Sequence, residues 1–296
     1  MVANERGQLL LIGGVAIAIV VFSTILFAHS LAVTDGITTT GSADTIERSA
    51  DREASVERDL GRLAAETRGD DIDGFEERYE NALQNYTRTH NRVVGSGEGT
   101  YLNATLNESA SLGTEVNQTG TSSKFQRPDP SGGLQNDWPV ANDVSRIAVF
   151  NLTADVIGGS MNTFTLIIRN GSTDLTLSIE PSTVGSGNNV TVNGKTQCHG
   201  NGSVNVDLVA GSCTVGSNSS SFDSYHSLDP PYSVEIKNGN KAEGKYRFAA
   251  VGTFPSSNYA SPVTRVNYPV VPAIDMTYDT PSAGYNRTVL VEVDDR

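Results

Sequence analysis

The residues best equipped for chemistry in this chain are its two cysteines and four histidines. Cys198 and Cys213 lie in one turn-rich stretch, with His199 and His226 close by. Two chemistries fit. Outside the cell the cysteines close a short loop as a disulfide, worth about 3 kcal/mol in the chain-entropy model. The alternative is a metal site of Cys198, His199, Cys213 and His226. Zinc sites use paired ligands at tight spacing. Here Cys198 and His199 are adjacent, which on a strand points them to opposite faces. The disulfide is the preferred reading, and no metal is expected.

The remaining constellations are near-misses. Residues 69–80 align with a calcium loop through Asp71, Asp73, Gly74 and Glu80, but Gly69 holds the first ligand position. Asp73 and Glu76 also match a helix capping box, which explains both without an ion. Gly158-Gly159-Ser160-Met161-Asn162 departs from a nucleophile elbow at its last position. Gly95-Ser96-Gly97-Glu98-Gly99 lacks the lysine of a phosphate loop. Acidic pairs such as Asp70-Asp71, Glu76-Glu77 and Asp294-Asp295 sit where a solvated surface is expected. Carboxylates that meet in space do acid–base work, so a surface hydrolase is kept as a lesser alternative. No catalytic residue and no cofactor is expected.

Ten Asn-x-Ser/Thr sequons are spread over the chain, at Asn85, Asn103, Asn107, Asn117, Asn151, Asn170, Asn189, Asn201, Asn218 and Asn286. Each is an acceptor pattern for N-linked sugar and expects a surface position in an exported protein. The competing reading is a polar, turn-rich chain in which the pattern arises by composition.

Charge narrows the partners. Lys+Arg 21 against Asp+Glu 34 gives 21 − 34 = −13. A nucleic-acid binder needs a basic footprint, and no run of Lys and Arg supplies one. Apolar residues are 37% of the chain, too few for a polytopic membrane protein.

The elements that would position these residues follow from periodicity. Residues 42–67 read as a helix with an apolar stripe of Ile46, Ala50, Val56, Leu60 and Leu63. A second helix carries Phe75, Tyr79, Ala82, Leu83, Tyr86, His90, Val93 and Val94 at helical spacing and stops at Gly95. His90 on that stripe reads as a packed side chain. Residues 95–139 are rich in Gly, Ser, Thr and Asn and read as a linker, with Trp138 as a packing anchor at its end. From about residue 144 the period becomes two. Leu175, Leu177 and Ile179 alternate with polar neighbours, as do Tyr232, Val234 and Ile236. Such strands have one buried and one wet face, which favours antiparallel sheets. Asn170-Gly171 fits a two-residue turn that pairs Leu166 with Leu175 and Phe164 with Leu177.

The amino terminus has its own pattern. No charge occurs between Arg6 and Asp35, and Leu9 to Ala28 is twenty almost wholly apolar residues. At about 1.5 Å per residue they make roughly 30 Å of helix, a bilayer core. Arg6 before the span points the short end inward. Three readings compete. One is a secretory signal removed at Ser30-Leu31-Ala32, and one is an uncleaved anchor. The third rests on Arg6-Gly7-Gln8 followed at once by the apolar run. This resembles the class III signal of type IV pilins, and the layout resembles haloarchaeal pilin-like surface proteins. The resemblance implies a prepilin-type peptidase that cuts after Gly7, leaves Gln8 first, and keeps the apolar helix. The mature fifth residue would be Ile12, where the bacterial pattern has glutamate.

The fold class expected is α+β: an N-terminal membrane helix and amphipathic helices, then an antiparallel β-sandwich-like domain. The expected organisation is a signal or transmembrane helix over 1–34, a helical stalk over 35–94, a flexible linker over 95–139 and a β-rich extracellular domain over 140–296. The expected partners are membrane lipid, a prepilin-type peptidase and other pilin-like subunits through the N-terminal helix. Nucleic acid is not among them. The expected place is the cell membrane, spanned once, with the N-terminus inside. A non-polymerising anchored binding module is the main alternative function.

Overall fold

A computed structural model describes residues 51–68, 73–96, 99–128, 133–157, 163–171, 173–182, 187–255, 263–281, 284–291 and 293. The chain divides into two compact units, 1–58 and 59–296. The first is described only from residue 51, where it is helical. Arg6, Gly7, Gln8 and the apolar segment from Leu9 to Ala28 lie outside the described residues. No helix among the described residues is long and apolar enough to cross a membrane.

The second unit is mostly antiparallel sheet, as expected from the period-two pattern. Its central strand is β5 (Trp138–Val156), 19 residues long. One edge of β5 pairs first with β13 (Tyr232–Lys237) and further on with β10 (Val204–Asp207). The other edge pairs with β14 (Ala242–Thr253). Asp143 takes a left-handed backbone (φ 50°) where the registers shift, which marks a bulge. The strand thus joins the arms of one 12-stranded sheet.

From β13 the sheet continues through β6 (Phe164–Arg169), β7 (Asp174–Pro181), β8 (Asn188–Val192) and β9 (Lys195–Gly200). From β10 it continues through β11 (Ser212–Val215) to β12 (Asn218–Ser221). Beyond β14 lie β2 (Leu112–Gln118) and β15 (Val263–Val271). The inward residues of both arms form one apolar core, with Trp138, Phe150, Phe164, Leu177, Val234 and Phe248 buried. Trp138 is the anchor its position suggested, and its indole N–H donates to the Phe125 carbonyl at 3.0 Å.

A second packing centre joins helix to sheet. β1 (Tyr101–Leu106), β16 (Ala273–Asp279) and β17 (Gly284–Leu290) form a three-stranded antiparallel sheet. Helix α1 covers 51–68, and α2 covers Phe75–His90. Phe75, Tyr79, Leu83 and Thr87 are the buried row of α2, four apart as a helix requires. Leu60, Ala64 and Arg68 are buried on α1. The Tyr79 hydroxyl donates to the Leu60 carbonyl at 3.0 Å. Asn91 then copies a strand edge, since its amide bonds both the N–H and the carbonyl of Leu102 on β1.

Four expectations need correction. The stretch 95–139 is not a linker, because it contains β1 and β2. Of their buried residues only Leu102, Ala104 and Val116 are apolar, with Glu115 and Gln118 polar, too few for the strands to stand out among polar neighbours. Residues 59–94 are not a separate stalk, since they belong to the same compact unit as the sheets. The 170s hairpin is slipped by two residues. Leu166 faces Leu177, Phe164 faces Ile179, and Ile168 faces Leu175. Asn170 Oδ1 accepts from the Thr173 N–H, so the loop closes between Asn170 and Thr173. The slip keeps the apolar face and adds a third apolar pair to it. The capping box is also absent. Gly74, left-handed at φ 67°, is the N-cap of α2, and Asp73 turns to Arg247 instead.

Candidate functional site

Cys198 on β9 and Cys213 on β11 form a disulfide, with Cα atoms 6.2 Å apart. Both cysteines are buried in the main core. The two strands share no ladder, since β9 pairs with β8 and β11 with β10 and β12. The bond therefore ties β9, at one end of this strand order, to β11, the last strand but one at the other end. Asn218 adds to this closure by donating its amide to the His199 carbonyl at 2.8 Å. A Cβ at Gly200 would lie 2.7 Å from the Val215 carbonyl, so the close approach of the ends requires glycine there. The metal alternative for these residues falls away. His226 lies elsewhere, with Nδ1 2.6 Å from Ser224 Oγ, and its ring stacks on Tyr225. Among the described residues no cluster of three His, Cys, Asp or Glu side chains is placed to hold a metal.

An ionic cluster lies where α2 begins. Arg247 on β14 donates to Glu115 Oε1 at 2.8 Å and to Asp73 Oδ1 at 2.6 Å. Glu115 is buried and Asp73 is exposed. The Arg247 hydrogen bond and charge hold the Asp73 carboxyl below its ordinary value. This is the fate of the fifth residue of the calcium-like loop. Burial raises the Glu76 carboxyl, and the nearby charges of Glu108 and Glu115 act the same way. Asp73 and Glu115 thus share one arginine.

A buried cation, Arg68, links helix to sheet. Arg68, at the end of α1, donates from Nη2 to the carbonyls of Pro269 and Val270 on β15, at 3.0 and 2.7 Å. Its guanidinium carbon lies 5.0 Å from the centre of the Phe75 ring. Sequence reading missed Arg68, Glu115 and Arg247. Each pairs with a residue more than a hundred positions away, and no local spacing signals such a pair.

Two open clefts mark the surface. One, of about 530 Å³, is lined by Arg146, Tyr225, His226, Tyr232, Leu112 and Leu290 among others. The second, of about 440 Å³, is more polar and is lined by Asn117, Asn151, Thr153, Lys245 and Arg247 among others. Neither cleft is lined by a carboxylate.

All ten sequon asparagines fall on described residues. Asn107, Asn170 and Asn218 donate their side-chain amides to protein oxygens. Asn117 and Asn151 flank Arg247 in one row across β2, β14 and β5, inside the polar cleft. Asn103 and Asn286 are exposed on the three-stranded sheet, and Asn85 is exposed on α2. Asn201 is exposed and Asn189 half-buried. No protein family, no curated protein and no solved structure matches the chain.

Proposed function

We propose that the chain is a membrane-anchored, pilin-like subunit of the cell surface, minor or accessory in kind. The observation that carries the reading is the order of Arg6-Gly7-Gln8 and the uncharged run from Leu9 to Ala28. A peptidase working at the inner membrane face needs its site before the span, and the span must survive the cut to anchor the product. The twenty apolar residues reach across a bilayer core. The same helix, once out of lipid, buries its apolar surface against helices of neighbouring subunits. The outward unit suits an exterior. Its cysteines are paired, the chain carries a net charge of −13, and several sequon asparagines are exposed.

The test is fractionation of native-host cells. The account predicts that the protein stays with membranes through a high-salt wash, and that shearing whole cells releases part of it in filaments. Quantitative recovery in the soluble medium without shear would overturn it. The polar cleft around Asn117 and Lys245 favours a second reading, a non-polymerising anchored binding module. That reading predicts the same membrane fraction and no sheared filaments.

A further inference from the structure

The ten sequons are not equivalent once folded, and the three-stranded sheet holds two exposed ones side by side. Asn103 on β1 and Asn286 on β17 both pair with Thr277 on the strand between them. They therefore stand in one row on the same face, two strand spacings or about 9–10 Å apart. Both asparagines are exposed, and neither side chain makes a hydrogen bond among the described residues. Their partner residues Thr105 and Thr288 lie two positions on, on that face, and are exposed. Both sequons are thus exposed on a strand, with the Thr288 hydroxyl donating to Asp275 Oδ1 at 2.6 Å from the same exposed face.

The opposite case is Asn107. Its Nδ2 donates to Asp275 Oδ2 at 3.0 Å, and its Oδ1 accepts from Ser109 and the Ala110 N–H. The hydrogen bonds from Thr288 and Asn107 hold the Asp275 carboxyl below its ordinary value. Asn170 spends Nδ2 on the Asp229 carbonyl and Oδ1 on the Thr173 N–H. Asn218 spends Nδ2 on closing the sheet at His199. A sugar on any of these nitrogens takes one of its two N–H hydrogens and has to fit beside an oxygen that the nitrogen already bonds. Asn85 is exposed, but its sequon hydroxyl on Thr87 is nearly buried and bonded to the Gln84 carbonyl.

We propose that Asn103 and Asn286 are a pair of N-glycan acceptors on one face of the three-stranded sheet, and that Asn107, Asn170 and Asn218 are structural asparagines that stay unmodified. The sugar donor is a glycan held as a phosphate ester on a membrane lipid. The asparagine Nδ2 attacks the anomeric carbon. A C–N bond replaces the sugar C–O bond, the lipid phosphate leaves with the electron pair, and the amide gives up one proton. A face carrying two glycans points to solvent, so assembly contacts use other surfaces. The inference rests on the exterior location proposed above, and not on polymerisation.

The experiment is intact-glycopeptide mapping of the full chain from native-host membranes, alongside Asn103→Gln and Asn286→Gln variants. Glycan mass is expected on the peptides with Asn103 and Asn286, none on Asn107, Asn170 and Asn218, and the loss of one glycan from each variant. A bare Asn103 or Asn286 overturns the proposal, and so does sugar on Asn107, Asn170 or Asn218. The amino-terminal peptide of the same digest is read separately. A start at Gln8 without sugar removes this inference and leaves the pilin-like reading. Sugar at Asn103 and Asn286 on a chain that starts at Met1 does the reverse.

Discussion

Cys198 and Cys213 join two strands that have no backbone ladder between them, at the place where the ends of one long curled sheet meet. The disulfide supplies there what hydrogen bonds supply elsewhere in the sheet. Replacing both cysteines by serine is expected to destabilise the second unit by about 3 kcal/mol. Chemical denaturation of the variant, and of the native protein with reductant, measures this. Hydrogen exchange should rise first in β9, β11 and β12. An unchanged midpoint would mean that the Asn218 contact and core packing hold the ends unaided.

Arg68 fixes the end of α1 to β15 through two carbonyls and lies over Phe75. It is 6% exposed. Arg68→Ala removes charged hydrogen bonds and leaves buried carbonyls unpaired, at a cost of about 2–4 kcal/mol. Arg68→Lys should restore only part, because an ammonium lacks the planar fork. Urea midpoints of the two variants decide this, and equal midpoints for Lys and Ala would show that the fork geometry is immaterial.

Arg247 serves a buried partner and an exposed one. A double-mutant cycle between Arg247 and Glu115 is expected to give a coupling of about 1–3 kcal/mol. The cycle with the exposed Asp73 should give no more than about 1 kcal/mol. The reverse ranking would show that the calcium-like segment, and not β2, positions the arginine.

His90 is half-buried between Tyr86 and Tyr278, with ring centres 6.2 Å away in both cases. Burial lowers its pKa from 6.5. The unfolded chain therefore binds this proton first, so stability falls as pH drops below 6.5 and levels off below the folded value. His90→Gln should flatten the stability profile in that window. Glu76 has the opposite sign. Its raised pKa gives a contribution present below the ordinary 4.5 and lost as pH rises through the folded value. Glu76→Gln should raise stability at neutral pH. Thermal midpoints across the pH range test both signs.

The parts of the fold legible in the sequence are those set by near neighbours. Period-two alternation placed Leu175–Ile179 and Tyr232–Ile236 in strands with the correct faces buried. The pairing of the only two cysteines needed no knowledge of the fold. Local rules failed where a distant residue intervened. The capping box at Asp73 was overridden by Arg247, 174 positions away. Val93, expected on the apolar stripe, is 67% exposed, because the π-turn Asn91–Gly95 shifts the helical phase after His90. β1 and β2 hid among Asn, Thr and Gly because β1 is an edge strand with alternate residues exposed, and two of the three buried residues of β2 are the polar Glu115 and Gln118. The sequons were visible as a pattern, but their sorting into structural and free amides required the partners Asp275, Asp229 and His199.

The amino-terminal peptide of the mature protein, read by mass spectrometry from native-host membranes, tests the pilin-like account most directly. The account predicts a start at Gln8, free or cyclised to pyroglutamate, with the apolar run from Leu9 to Ala28 retained. A start at Met1 or Val2 would contradict peptidase processing and leave an anchored module. A start near Val33 would contradict the anchor itself.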